Sequence, residues 1–141
     1  MSSQYTKGLK RIVSNEISLL TDNLKFVLVD KDNYTVNYDE DEFLSDIPAL
    51  ARVSISPNIS GKLFAIDDLQ TPPQVYFVCN NVVFQAVTGN QFESVVLFKD
   101  SGDPSTSPLV SYYESSNTTL TPTGDDITLE VSVTGILRWA R

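Results

Sequence analysis

Histidine is missing from this sequence of 141 residues, and cysteine occurs only once, at Cys79. Without an imidazole the chain lacks the most common general base and a frequent metal ligand, and it cannot assemble a Ser-His-Asp or Cys-His catalytic set. We therefore expect a protein that is not an enzyme and that carries no metal or cofactor. A small hydrolase that uses two carboxylates is the remaining catalytic alternative.

The single cysteine excludes an internal disulfide. Cys79 ends the apolar run 75–79, which reads Val-Tyr-Phe-Val-Cys. A lone cysteine in such a run is typical of a buried thiol that packs as a small hydrophobic residue. This use of cysteine fits a protein that is made in a reducing cytoplasm.

Glycine clusters and long hydrophobic stretches are missing as well. The six glycines are scattered singly, so the sequence contains no glycine-rich phosphate loop. No stretch reaches the ~20 apolar residues that a membrane-spanning helix needs. The first residues also lack the apolar core of a signal peptide, so we expect no membrane partner.

Basic residues are few, and their distribution is uneven. Ten Lys and Arg against eighteen Asp and Glu give a formal net charge of -8. This charge repels phosphate backbones, so we expect no nucleic-acid partner. Lys7, Lys10 and Arg11 form a basic patch, which is either the exposed face of a short helix or a docking surface for an acidic protein neighbour. Residues 39–42 read Asp-Glu-Asp-Glu, which is typical of a solvated turn.

The length and the apolar content predict one folded domain over residues 1–141. Hydrophobic residues make up 41% of the chain, which is enough to form a core without disulfides or metal. Within this domain the change of periodicity separates an N-terminal helix or arm over residues 1–20 from a β-body over residues 21–141.

The apolar residues of the first segment follow the spacing of one helical face: Tyr5, Leu9, Ile12, Val13 and Ile17. The pattern predicts a helix that begins at Ser2 or Ser3 and ends near Asn15. Gly8 lies inside this helix, where glycine costs about 1 kcal/mol relative to alanine.

From Leu24 onward the apolar pattern has the period of two that β-strands show. Residues 24–29 and 95–98 are apolar on both faces, which predicts well-buried strands, and 95–98 is the best candidate for a central strand. Residues 127–133 alternate apolar and polar, which predicts a half-buried strand. Many short strands between turns favour an antiparallel β-sandwich or barrel with a short N-terminal α-helix. Asn80 and Asn81 mark either a hairpin turn or a bulge in one long strand.

Oxygen-rich turns raise the question of calcium. Asp30, Asp32 and Asn33 resemble the start of a calcium-binding loop, but Tyr34 and Thr35 stand where that loop needs an acid or amide and then a glycine. We therefore predict that these side chains cap a turn and hold no metal.

A protein interface is the functional site that the residue types favour. The basic patch together with a tyrosine of the predicted helix is one candidate, and tyrosine and tryptophan near strand ends are the other, because these aromatic residues are enriched at interfaces. The candidate residues are Tyr5, Lys7, Lys10, Arg11, Tyr112, Tyr113 and Trp139.

Several segments of the chain resemble, in the same order, the sequence patterns of a single protein group. Residues 4–10 are similar to the pattern Y-x-K-G-L-K, residues 43–48 to eFLsDIp, and residues 95–102 to avvlYkDtG. Shorter matches lie at 21–29, 51–53, 86–89, 107–110 and 123–128. The group consists of small virion accessory proteins of tailed bacteriophages, either capsid decoration (cement) proteins or minor head proteins.

The resemblance implies a structural virion protein, most directly a decoration protein that binds the assembled major capsid protein. It also implies location in the virion head after assembly in the host cytoplasm. Self-association into a homo-oligomer stays open as a second partner relation. A virion-borne module that binds a host surface or carbohydrate, and a neck or tail component, stay open as alternatives. The matching motifs are turns and strand starts, so they transfer no catalytic or ligand-binding residue.

Overall fold

The computed structural model describes residues 2–114, 119–132 and 135–140. The strands within these residues are β1 (Ser2–Gln4), β2 (Leu24–Val29), β3 (Arg52–Ile55), β4 (Leu63–Asp67), β5 (Gln74–Val78), β6 (Val82–Phe84), β7 (Ser94–Lys99), β8 (Leu109–Glu114), β9 (Ile127–Leu129) and β10 (Leu137–Ala140). One α-helix, α1, spans Thr6–Val13, and short 3-10 helices span Leu44–Asp46, Ala49–Ala51 and Pro104–Thr106. The prediction of a mainly β, antiparallel fold with a short N-terminal helix is confirmed.

Five antiparallel strands form the largest sheet, in the order β1-β8-β7-β2-β3. β7 lies in the middle of this sheet, as its apolar sequence predicts. Its pairing with β2 runs without interruption over six residue pairs, with Phe26 opposite Leu97 and Val27 opposite Val96. Both strands are therefore well placed to carry apolar side chains on both faces of the sheet.

Each face of the five-stranded sheet covers a separate apolar core. Phe26 and Leu97 point into a core that they share with the buried Phe77 of β5 and Phe84 of β6. Val27 and Val96 point into the second core, which the segment 34–51 covers. Successive residues of a strand face opposite sides, so a sheet with two cores requires apolar residues at consecutive positions.

The remaining strands form two smaller antiparallel sheets, β10-β5-β4 and β6-β9. β5 and β6 belong to different sheets, so Asn80 and Asn81 form neither the hairpin turn nor the bulge that their position suggested. The chain crosses between the two sheets there. The Asn80 N–H donates to the Ser60 carbonyl oxygen at 2.9 Å, and the Asn81 Oδ1 accepts a hydrogen bond from the Val131 N–H at 2.8 Å. The asparagines thus satisfy backbone groups at the crossing.

The start of the chain differs from the predicted helix. Residues 2–4 form β1, which pairs antiparallel with β8 at the edge of the five-stranded sheet. The backbone of residues 2–4 pairs with backbone groups of β8 that would otherwise lie open at this edge. The helix begins only at Thr6. It ends as predicted near Asn15, which adopts a left-handed conformation (φ 63°), while the Glu16 N–H donates to the Arg11 carbonyl oxygen at 2.8 Å. The N-terminal segment is thus part of the folded body and not a free arm.

Two further patterns have mixed outcomes. Val13 was predicted on the inward face of the helix but is 78% exposed. α1 faces the sheet through Gly8, and Val13 lies about 140° around the helix from that position. In the predicted strand 127–133, Ile127, Leu129 and Val131 are half-buried and the residues between them are exposed, as expected, but only Ile127–Leu129 pair as a strand. Val133 lies outside the described residues.

None of the helices in the described part of the chain has the length and hydropathy that crossing a membrane would require.

Candidate protein interface

Tyr5 lies in the core and presents no surface to a partner, which corrects its prediction as an interface residue. Its side chain is fully buried, and its hydroxyl lies 2.9 Å from that of Tyr34. The Tyr34 hydroxyl in turn donates to the Asp41 Oδ2 at 2.6 Å. Burial raises the pKa of both tyrosines far above its usual value, so both hydroxyls stay protonated and hold the network together.

The two neighbouring tyrosines of β8 are also largely structural. Tyr112 is 3% exposed, and its hydroxyl lies 2.7 Å from the Ser94 Oγ in the second core. This burial corrects its prediction as an interface residue. Tyr113 points to the opposite face, where it is half-buried and its hydroxyl donates to the Ile136 carbonyl oxygen. Burial raises the pKa of both hydroxyls.

The basic patch meets the acidic run of the same chain. The Lys7 Nζ donates to the Glu40 carbonyl oxygen at 2.9 Å, and the Arg11 guanidinium binds the Glu42 carboxylate at 2.6 Å. The guanidinium also lies over the Phe43 ring, 5.3 Å from its centre. Lys7 and Arg11 are therefore paired within their own chain, and the docking of the basic patch on an acidic protein neighbour stays a prediction.

Lys10 is the most exposed member of the basic patch. Its Nζ forms an ion pair with the Glu16 carboxylate at 3.1 Å, yet 71% of its side chain is exposed. The Ser14 hydroxyl and the Lys10 ammonium lower the pKa of Glu16. The N-terminal charged surface, as we name it, combines three cations with three anions: Lys7, Lys10, Arg11, Glu16, Glu40 and Glu42.

An apolar surface lies on the three-stranded sheet. Trp139 is half-buried there, with its ring centre 6.1 Å from that of Phe64. Cross-strand pairing places Ile66 opposite Val75 and Val75 opposite Trp139, so these side chains share one face. Ile66 is 65% exposed, Val75 43% and Phe64 42%. We name these four residues the β4 apolar surface.

This surface exists because the three-stranded sheet reaches beyond the core that it covers. On the same face Phe77 and Leu137 are buried, whereas the pairs nearer the other end of the sheet are open to solvent. Of the predicted interface residues, only Trp139 belongs to the β4 apolar surface. No local signal locates the rest, because the consecutive apolar run 63–66 has the sequence of a buried strand although β4 lies at an edge.

The opposite face of the same sheet is fastened by one arginine. The Arg138 guanidinium of β10 donates to the Asp67 Oδ2 of β4 at 2.6 Å and to the Gln74 Oε1 of β5 at 2.9 Å. It also lies 5.3 Å from the centre of the Tyr76 ring. One side chain thus connects all three strands, so the β4 apolar surface is built on a cross-braced sheet.

Asp30, Asp32 and Glu93 could together hold a cation, since one carboxylate oxygen of each lies within 4.8 Å of the others. The Asp30 carboxylate already accepts hydrogen bonds from the Asp32 N–H at 3.0 Å and the Asn33 side-chain amide at 2.8 Å. Glu93 accepts one from the Lys31 N–H at 3.2 Å. The prediction that Asp30 and Asn33 cap a turn is confirmed by these bonds.

Two adjoining cavities of about 340 and 290 Å³ lie between the five-stranded sheet and β9. Their shared wall consists of Val95, Tyr113 and Leu129. This wall is apolar apart from the tyrosine hydroxyl, which is already hydrogen-bonded. The cavities can accommodate an apolar group, and the three residues of the shared wall supply no acid–base pair.

Neither a scan against protein-family models nor a search of curated proteins finds a match for this chain.

Proposed function

We propose that this chain is a structural accessory protein of a tailed-phage head that binds the assembled major capsid protein, and that it acts by adhesion and not by catalysis. The observation that carries the proposal is a contrast between reactive and contact-forming residues. Cys79, Tyr5, Tyr34 and Asp30 are buried, and the tyrosines and the aspartate are hydrogen-bonded within the fold. Apolar side chains of the three-stranded sheet, by contrast, are left open to solvent. The resemblance along nearly the whole chain supplies the class of partner.

The N-terminal charged surface is the part of the molecule that we assign to the capsid. Its ion pairs hold Lys7 and Arg11 in place, while Lys10 extends into solvent with 71% of its side chain exposed. A preformed mosaic of both charge signs favours specific, oriented association with a complementary mosaic. It is built from α1, Glu16 and the segment 40–42, which contribute nothing to the β4 apolar surface, so both surfaces can be occupied at once.

The test is co-sedimentation of the purified protein with assembled capsid shells that lack it. Lys10→Glu reverses the most exposed positive charge of the surface, and we expect it to weaken binding by about tenfold or less, as is typical of a rim charge. Lys31→Glu is the matched control, because Lys31 is also an exposed lysine paired with a glutamate, at 2.7 Å from Glu114. The proposal is overturned if the wild-type protein does not sediment with shells, and the assigned surface is wrong if both variants bind equally.

A carbohydrate-binding module is the second candidate, and one observation favours it. Trp139 and Phe64 place two partly exposed aromatic rings side by side, and such rings are able to pack against the apolar face of a sugar. A glycan array with the purified protein separates the candidates. Binding to a defined glycan that is lost in Trp139→Ala would favour this second function over capsid binding.

A further inference from the structure

We propose that two copies of this chain associate through β4, whose free edges pair antiparallel and join the two three-stranded sheets into one sheet of six strands. The occupant of the β4 apolar surface is then a second copy of the same protein. This inference stands independently of capsid binding, because it concerns the purified chain alone.

The first observation is the open edge of β4. β4 is the terminal strand of the sheet β10-β5-β4, and no described strand pairs with its outer side. Its register with β5 is unbroken over five residue pairs, so the strand is regular. Proteins usually protect such an edge with proline, an inward charge or a bulge. The sequence Leu-Phe-Ala-Ile-Asp of β4 contains no proline or lysine.

The second observation is the exposure of apolar side chains on both faces of this edge. Phe64 and Ile66 project from one face and Leu63 from the other, and they are 42%, 65% and 48% exposed. A set of adjacent exposed apolar side chains is typical of a protein interface. In β4 these side chains lie beside backbone groups that pair with no described strand. Exposed apolar side chains next to an unpaired edge are what a second strand needs in order to add to a sheet.

The third observation is that β4 is complementary to itself. Directly opposite residues of an antiparallel pair point to the same face. The apolar faces of both copies therefore lie on one side of the joined sheet only if the two-fold axis passes through a residue of β4, so that this residue lies opposite its own copy. Centring on Ala65 places Phe64 opposite Ile66 of the second copy. A two-fold axis repeats this pair, so a second copy covers Phe64 and Ile66 of both chains at once, and we therefore assign a second copy as the occupant.

Ionic strength provides a signature of this self-association. Each chain carries a net charge of -8, so two copies repel one another at long range. Salt screens that repulsion more strongly than it weakens apolar contacts. We therefore expect association to become tighter when the ionic strength is raised.

The first experiment is sedimentation equilibrium of the full chain from about 1 μM to about 200 μM, which covers the affinities of weak to moderate dimers. We expect a monomer–dimer equilibrium. Ile66→Lys should weaken it by about tenfold or more, because it removes a buried apolar side chain and places a charge in the interface. Leu50→Lys is the matched control, since Leu50 is 68% exposed on a separate 3-10 helix. A protein that stays monomeric at every concentration and ionic strength overturns the proposal, as does a dimer that Ile66→Lys leaves unchanged.

The second experiment reports the register directly. Residues directly opposite in an antiparallel pair have Cα atoms about 4.5 to 5.5 Å apart, within the range that a disulfide spans. Ala65→Cys should therefore form a covalent dimer on mild oxidation, whereas Leu50→Cys and the wild-type protein should not, since native Cys79 is buried. A wild-type dimer in which Ala65→Cys does not cross-link means that the pairing is wrong. Neither experiment contains capsid shells, so its failure is distinct from a failure of capsid binding.

Discussion

Gly8 of α1 lies against the backbone of β8 so closely that a Cβ at position 8 would stand 2.1 Å from the Leu109 carbonyl oxygen. The neighbouring Tyr5 N–H donates to the Val110 carbonyl oxygen at 3.0 Å, which ties the start of the helix to the same strand. The contact explains a glycine that the helical pattern alone makes unfavourable. A backbone atom, and not the end of a flexible side chain, occupies the space that a side chain would need.

The first prediction follows from this contact. In an isolated helix Gly→Ala would be stabilising by about 1 kcal/mol. Gly8→Ala should instead destabilise the protein by about 2 kcal/mol or more, because helix and strand must separate to admit the methyl group. Urea denaturation measures the free energy of unfolding. Lys10→Ala, at an exposed position of the same helix, should change it little, and a Gly8→Ala protein as stable as the wild type would contradict the packing described.

The tyrosine network gives the second prediction. Tyr34→Phe removes the hydroxyl that lies between the Tyr5 hydroxyl and the Asp41 carboxylate, which leaves the buried Tyr5 hydroxyl without this partner. We expect a loss of about 1 to 3 kcal/mol in the free energy of unfolding. Tyr38→Phe is the control, because that ring packs against Tyr5 with a centre distance of 5.8 Å but its hydroxyl takes no part in this chain of bonds. Equal effects of the two substitutions would mean that the network contributes nothing.

Short-range patterns predicted much of this fold, and long-range partners explain what they missed. β2 and β7 were predicted because a strand between two cores needs apolar residues at every position, a local feature of the sequence. β1 was not, because three polar residues become a strand only when the edge of β8, more than 100 residues away, accepts them. The crossing at Asn80 and Asn81 likewise depends on the distant Ser60 and Val131.

The candidate interface shows the same division. The basic patch and the acidic run were each identified, but their pairing, with Arg11 binding Glu42, joins residues 31 positions apart. The burial of Tyr5 and Tyr112 has the same origin, since the segment that covers them is distant in sequence. Trp139 was predicted as an interface residue and lies on the β4 apolar surface. The exposure of Ile66 was not predicted, because an apolar run has the same sequence whether its strand is central or at an edge.

Acid should unfold the protein partly through Asp100. The Lys25 ammonium, 2.9 Å away, together with the Gly102 N–H holds the pKa of that carboxyl below its usual value. A carboxyl whose pKa is lower in the folded than in the unfolded state contributes stability above the unfolded pKa of about 4 and loses it as the pH falls through the folded value. Asp100→Asn should therefore flatten the decline of the urea midpoint below about pH 4. Glu130→Gln, at an exposed position, should keep the wild-type slope, and an unchanged slope in Asp100→Asn would contradict the assignment.

Cys79 should be chemically inert in the folded protein. Its side chain is buried, and burial raises the pKa of the thiol to about 11, so little thiolate is present near neutral pH. A disulfide reagent at pH 8 should react with one thiol per chain in denaturant and much more slowly without it. Rapid reaction of the native protein would show that the core around Cys79 opens readily.

The central claim, that this chain functions as an adhesive component of a phage head, is tested most directly by counting its copies in the particle. Quantitative mass spectrometry of purified virions from the genome that encodes the chain provides that number relative to the major capsid protein. We expect a copy number in a fixed ratio to the major capsid protein and of the same order of magnitude. Purified virions that contain none of the chain, while the infected cells do, would contradict the account.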